Sequence, residues 1–139
     1  KVAGVIGCFH KLVWTDVTNE DQVEALIRFE NGAVANVQIS SIASIGKPRW
    51  RILGTKGGLM RMPEHKYFHM VTYDGGKLVE MQLQFKDTDW SIYYRNIVEH
   101  LLYGAELLVK PEEASRVISI IEASEKSSKT GKIVKPLFP

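Results

Sequence analysis

Two runs of alternating residues around Glu30-Asn31-Gly32 constrain this chain more than any other feature. Val23, Ala25, Ile27 and Phe29 are apolar at every second position, with Glu24, Arg28 and Glu30 among the residues between them. Ala33, Ala35, Val37 and Ile39 repeat the alternation, interleaved with Asn36, Gln38 and Ser40. Successive side chains of a strand point to opposite faces, so the pattern demands a half-buried hairpin. Asn-Gly usually suggests a two-residue loop. That loop would set Phe29 opposite Val34 and put Ala35, Val37 and Ile39 on the face of Glu24 and Arg28. A three-residue loop with Gly32 left-handed sets Phe29 opposite Ala33 and Ile27 opposite Ala35, and both apolar sets then share a face. A slip of one residue flips every side chain, so the alternation predicts the three-residue loop.

Other strands are legible on either side. Val2–Val13 reads as a strand. Trp50–Leu53 and Leu59–Met62 flank the turn Gly54-Thr55-Lys56-Gly57-Gly58, and Tyr67–Tyr73 and Leu78–Leu83 flank Asp74-Gly75-Gly76-Lys77. Tight turns join antiparallel neighbours, so a meander of about seven strands is expected. The period then changes. Trp90, Tyr93, Tyr94, Ile97, Leu101 and Leu102 have helical spacing, with Asp89 as cap and Gly104 as stop. A second helix is expected from Pro111 to Gly131, with Ala114, Val117, Ile118 and Ile121 as its buried stripe. Lys132–Lys135 is a candidate closing strand. Strands followed by helices give an α+β class: one open-faced, mostly antiparallel sheet with two helices on one face, in a single domain over residues 1–139. The other face of the hairpin carries Glu24, Leu26, Arg28, Val34, Asn36, Gln38 and Ser40. It is too apolar to require solvent and too polar for a permanent core, which fits a wet two-fold interface between copies of the chain.

Composition narrows the classes. The 139 residues are 45% hydrophobic and 24% charged, enough apolar mass to offset chain entropy, which excludes disorder. A single cysteine, Cys8, excludes a disulfide scaffold and fits a reducing cytoplasm. The net charge of +2 provides no strong field for nucleic acid or anionic lipid. The most apolar window, Asn96 to Val109, contains Glu99, His100 and Glu106 and is far short of the ~20 apolar residues of a membrane span. The chain starts at Lys1, directly in a strand and with no signal peptide visible, and is expected to be a piece of something larger.

No residue set in the sequence spells out catalysis. His65 and His69 are four apart, as in helix-borne zinc pairs, but they fall in strand context with no cysteine or carboxylate cluster to complete a set, so no metal is expected. The Gly54–Gly58 segment lacks the spacing of a phosphate loop and is followed by a strand, so it is expected to be a hairpin turn. Lys47, Arg49, Trp50, Arg51 and Lys56 form a basic stretch whose single aromatic falls short of a nucleic-acid platform and suits a charged edge strand. Cys8 and His10 share a strand face without an orienting acid. Glu99 and His100 are expected on the solvated side of their helix.

Several segments, taken in order, carry a resemblance. They are Glu20-Asp21, Ile27-Arg28-Phe29-Glu30-Asn31-Gly32-Ala33, Ile52-Leu53-Gly54-Thr55-Lys56-Gly57-Gly58-Leu59, Tyr94-Arg95-Asn96-Ile97, Pro111-Glu112-Glu113-Ala114, Ile120-Ile121-Glu122-Ala123 and Thr130-Gly131-Lys132-Ile133-Val134. From about Glu20 to Val134 the chain resembles the C-terminal domain of the glucose–fructose oxidoreductase / inositol dehydrogenase / MocA (Gfo/Idh/MocA) family. The resemblance implies a parent enzyme whose N-terminal Rossmann domain binds NAD or NADP. It also implies a sugar, cyclitol or similar polyol substrate between the domains, and subunits paired through the open sheet. The family's glycine-rich loop, its Glu-Lys-Pro lysine and its Asp-x-x-x-His pair are absent from this sequence, so no catalytic residue carries over. Neither cofactor is expected to bind this chain alone. Two stretches, Ser44–Arg49 and Asp87–Tyr94, are implied to line the substrate, through Lys47, Arg49, Trp90 and Tyr94. The competing reading is a non-catalytic dimerisation or ligand-binding module on the same sheet.

Overall fold

Phe29 and Ala33 close the first hairpin as the alternation requires. The Phe29 amide donates to the Ala33 carbonyl at 2.9 Å, Gly32 takes φ 86°, and Ile27 pairs with Ala35. The three-residue loop is therefore present, with Gly32 in the left-handed region that glycine enters without strain. In the computed structural model, which describes residues 1–86 and 88–138, the chain forms two compact units: Lys1–Ala43 with Tyr93–Pro139, and Ser44–Ile92.

The first unit holds strands β1 (Val2–His10), β2 (Gln22–Phe29) and β3 (Val34–Ser40), antiparallel in that order. Its helix α2 (Pro111–Thr130) packs on β1, and Val5, Ala25 and Ile27 are buried with Ala123 between helix and sheet. The second unit holds β4 (Trp50–Gly54), β5 (Gly57–Arg61), β6 (Tyr67–Asp74) and β7 (Lys77–Gln84), also an antiparallel meander. Gly54 pairs with Gly57 around Thr55-Lys56, so this glycine segment is a hairpin, as its spacing predicts. Asp74 pairs with Lys77 around Gly75 and Gly76, both at positive φ. Helix α1 (Ser91–Tyr103) begins where the Asp89 carboxylate accepts from the Ser91 amide at 2.8 Å. It ends at Gly104, φ 70°, whose amide donates to the His100 carbonyl.

The α+β class is therefore as the sequence predicts, with four differences in detail. The strands divide into two sheets where the strand pattern alone suggests one, since β3 and β4 do not pair. Strand β1 stops at His10 rather than Val13, because the amides of Leu12, Val13 and Trp14 turn to the Asp21 carboxylate instead of a ladder. The stripe of α2 is the largest difference. Val117, Ile118 and Ile121 are more than half exposed, whereas Ser119, Ala123, Ser124 and Ser127 are buried. Gly7 explains this: a Cβ built there would sit 2.1 Å from the Ser124 carbonyl oxygen. The helix backbone rests directly on a glycine, and only Ala and Ser fit at so close an approach. The Ser127 hydroxyl accepts from the Gly7 amide at 3.1 Å and donates to the Lys132 carbonyl at 2.7 Å. The Ser128 hydroxyl accepts from the Phe9 amide at 2.9 Å. The expected closing strand is reduced to one antiparallel bridge, Val5 with Val134.

Candidate functional site

The face of the first sheet turned away from α2 is built by register. Its cross-strand rows are Ile6, Leu26 and Asn36, then Cys8, Glu24 and Gln38, with Arg28 beside Val34 and Gln22 beside Ser40. All seven residues expected on this face (Glu24, Leu26, Arg28, Val34, Asn36, Gln38 and Ser40) lie on it. Val34, Ile6 and Leu26 are 60%, 42% and 38% exposed. At its centre Glu24 Oε1 accepts from Gln38 Nε2 at 2.7 Å and from Gln22 Nε2 at 3.2 Å. The carboxylate is thus held in place by neutral amides, and its charge remains available across the face. Cys8 is exposed and stands opposite Glu24, whose Oε1 is taken by Gln38 and Gln22.

One end of this sheet is fastened by a clasp that sequence reading did not find. Asp21, 2% exposed, accepts through Oδ1 and Oδ2 from the backbone amides of Leu12, Val13 and Trp14 at 2.7 to 3.0 Å. These bonds, that from Val13 foremost, hold its carboxyl below the usual carboxylate range against the opposing push of burial. The Lys11 ammonium donates to the carbonyls of Trp14, Val17 and Asn19 from the other side of the loop. A folded pKa below the unfolded one means that Asp21 stabilises the fold at neutral pH, and this is lost as acid titrates the folded carboxylate. Asn96 plays a similar role between the helices, donating to the Glu106 carbonyl and accepting from the Leu108 amide. Both residues sit inside the segments that carry the family resemblance. Their partners, seven to nine and ten to twelve positions away, follow no periodic pattern.

The four implied substrate residues are placed as follows. Lys47 is exposed in the loop before β4, and Arg49 is exposed with its amide on the Arg61 carbonyl at 2.8 Å. Trp90 is 81% exposed at the end of the same unit. Tyr94 is exposed in the other unit, its ring edge-on to Tyr93 at 5.3 Å. Asp87, which opens the second implied stretch, lies outside the described residues. The cavity within Ser44–Ile92 is lined by other side chains: Met60, Met62, His65, Tyr67, His69 and Gln82.

The pyrophosphate of a dinucleotide is held by a glycine-rich turn opening onto a free helix N-terminus. Here the glycine turn joins two strands. The N-terminus of α1 is capped by the Asp89 carboxylate, and at that of α2 the Glu113 carboxylate accepts from the Lys110 amide at 3.0 Å. Anions already occupy both ends. Among the described residues no three His, Cys, Asp or Glu side chains converge as a metal set, and no helix is long and apolar enough to cross a membrane.

An antiparallel sheet with one face given to a helix and the other left open defines an α+β domain. The chain belongs to the oxidoreductase family through its C-terminal alpha/beta domain, GFO_IDH_MocA_C, whose pattern matches residues 9–135. Solved structures share the fold. YvaA of Bacillus subtilis, described as a candidate oxidoreductase, superposes with a TM-score of 0.81 at 23% identity over 94% of this chain and 44% of its own. An NAD-binding protein from Listeria innocua gives 0.79 at 23% identity over 97% and 41%. A candidate NADPH-dependent oxidoreductase from Desulfitobacterium hafniense gives 0.73 at 19% identity over 96% and 42%. The chain thus spans less than half the length of each of these proteins. No curated protein matches it.

Proposed function

We infer that this chain is the part of an NAD(P)-dependent oxidoreductase that joins subunits and walls the substrate site, while a dinucleotide-binding domain supplies the cofactor. The observation that carries the reading is the division of the first sheet. Small residues of α2 occupy one face, and a mixed face centred on Glu24, Leu26 and Asn36 stays open within a domain of this family. Two copies related by a two-fold axis would bring like residues together. Exposed Val34 and Leu26 supply apolar contact, and Asn36, Gln38 and Ser40 supply hydrogen bonds that water can complete. The exposed Lys47, Arg49 and Trp90 of one unit suit a polyol, as does Tyr94 of the other taken by itself. Ammonium, guanidinium, indole N–H and phenol groups hydrogen-bond hydroxyls, and flat aromatic faces cover C–H surfaces. A reducing cytoplasm would keep Cys8 a free thiol.

Sedimentation velocity tests the interface. At tens of micromolar, roughly the range where modest protein complexes persist, the chain should sediment as a dimer. Val34→Lys with Asn36→Glu should dissociate it without loss of fold. A monomer at that concentration overturns the interface. Calorimetric titration of the chain with NAD(H) or NADP(H) should show no micromolar affinity. Binding at that level would overturn the assignment of the cofactor to a separate domain.

A further inference from the structure

The second sheet has two faces of different chemistry, and the four methionines of the chain are divided evenly between them. Met70 pairs with Leu59 and Met81, near the Phe68–Phe85 edge contact, with the Arg61 guanidinium 4.6 Å from the Phe85 ring. The opposite face carries the row Met60, His69, Gln82 across β5, β6 and β7. Met62 and Tyr67 stand one step further along the same face, and His65 stacks on Tyr67 at 4.7 Å. Together these six residues line a cavity of about 170 Å³. Arg51, next in the row on β4, does not line it.

We propose that this cavity is a binding site for a soft monovalent cation, Cu(I), ligated by the thioethers of Met60 and Met62 and the imidazoles of His65 and His69. Two observations support it. The lining combines two thioethers with two imidazoles and no carboxylate, a donor set that selects Cu(I) over harder divalent ions. In addition, His69 Nε2 lies 3.2 Å from Glu80 Oε2. A carboxylate can only accept, so in the neutral ring Nε2 carries the hydrogen and Nδ1 has the lone pair, the arrangement that orients and strengthens a metal-binding histidine. Methionine side chains are unbranched and adaptable, so both sulfurs can close on an ion within the cavity.

The test uses the Cys8→Ser chain, because the exposed thiol would otherwise compete for copper. Cu(I) is presented anaerobically as its bicinchoninate complex, and its withdrawal by the protein is read from the loss of the chelate's colour. One equivalent should be withdrawn, and Zn(II) should not be retained at the same protein concentration. Met60→Leu with Met62→Leu conserves volume and should leave the unfolding midpoint nearly unchanged while weakening Cu(I) binding at least ~10-fold. Glu80→Gln should weaken it by roughly 10-fold through His69. Ag(I), a redox-inert probe, should shift the methyl resonances of Met60 and Met62 in the Cys8→Ser chain and leave those of Met70 and Met81 in place. No withdrawal from the chelate, equal retention of Zn(II), full binding by the double variant, or methyl shifts spread over all four methionines would each overturn the site. The methyl pattern decides the matter even if a variant fails to fold.

Discussion

Helices α1 and α2 contrast sharply. α1 is rich in large apolar side chains, yet none of its residues is buried, and Leu101, Leu102 and Tyr103 are 65% to 80% exposed. α2 is poorer in them along its contact, yet it buries Ser119, Ala123, Ser124 and Ser127 against β1. Apolar mass therefore does not decide which helix is anchored. Distance of approach does: where the strand offers glycine, the helix comes in until backbone meets backbone, and the hydroxyls of small residues satisfy the strand's amides. The bulky stripe of α2, Val117, Ile118 and Ile121, is left facing away.

Five variants test this contrast and the hairpin beside it. Gly7→Val should have the largest effect, since its side chain would collide with the Ser124 backbone. Overpacking of this kind destabilises by about 3 kcal/mol, measurable by chemical denaturation. A loss below about 1 kcal/mol would show that α2 can retreat freely, and close approach would no longer explain its anchoring. Ser127→Ala comes next. It leaves the Gly7 amide and the Lys132 carbonyl without a partner, for about 2 kcal/mol. Ser127→Thr, which retains a hydroxyl, should recover part of that loss if the hydrogen bonds are the cause. Gly32→Ala places a Cβ in the left-handed region and should destabilise the first hairpin by about 1 kcal/mol. Leu101→Gln with Leu102→Gln, on α1, should stay within about 0.5 kcal/mol of the unmodified chain. A larger loss would mean that α1 is anchored after all.

Local signals accounted for much of the fold. The period-2 alternation and Gly32 together set the register of β2 against β3, because only one loop length places both apolar sets on one face. Gly75-Gly76, Asp89 and Gly104 marked their turn and helix ends for equally local reasons. The features that escaped depend on contacts across long sequence separations. Ser127 meets Gly7 at a separation of 120 residues, so a helical stripe judged by hydrophobicity alone pointed to Ala114, Val117, Ile118 and Ile121. Asp21 ends β1 from outside the strand. The division into two sheets depends on β3 and β4 failing to pair, which no period within either strand reveals. The open face around Glu24 followed from the alternation that set the register. The methionine–histidine cavity has no local signal, because the spacing of His65 and His69 suggests a helical pair, their context is a strand, and no cysteine or carboxylate cluster stands beside them. The pairing of Met60 with His69 depends on the β5–β6 register, which no local motif announces.

The hydrogen bonds that α2 and Val134 make to β1 have a consequence for the chain as it is synthesised. A strand at the rim of a sheet is a template on which another extended segment can assemble, and such rims seed aggregates. On β1 the amides of Val5, Gly7 and Phe9 are taken by Val134, Ser127 and Ser128, so in the finished fold this rim is sealed. The seal is made by a segment that emerges 120 residues after Gly7. At ~5–20 residues per second, the rim of a nascent chain stays open for roughly ten seconds. During that interval neighbouring copies on one message can pair strand to strand along the open rim.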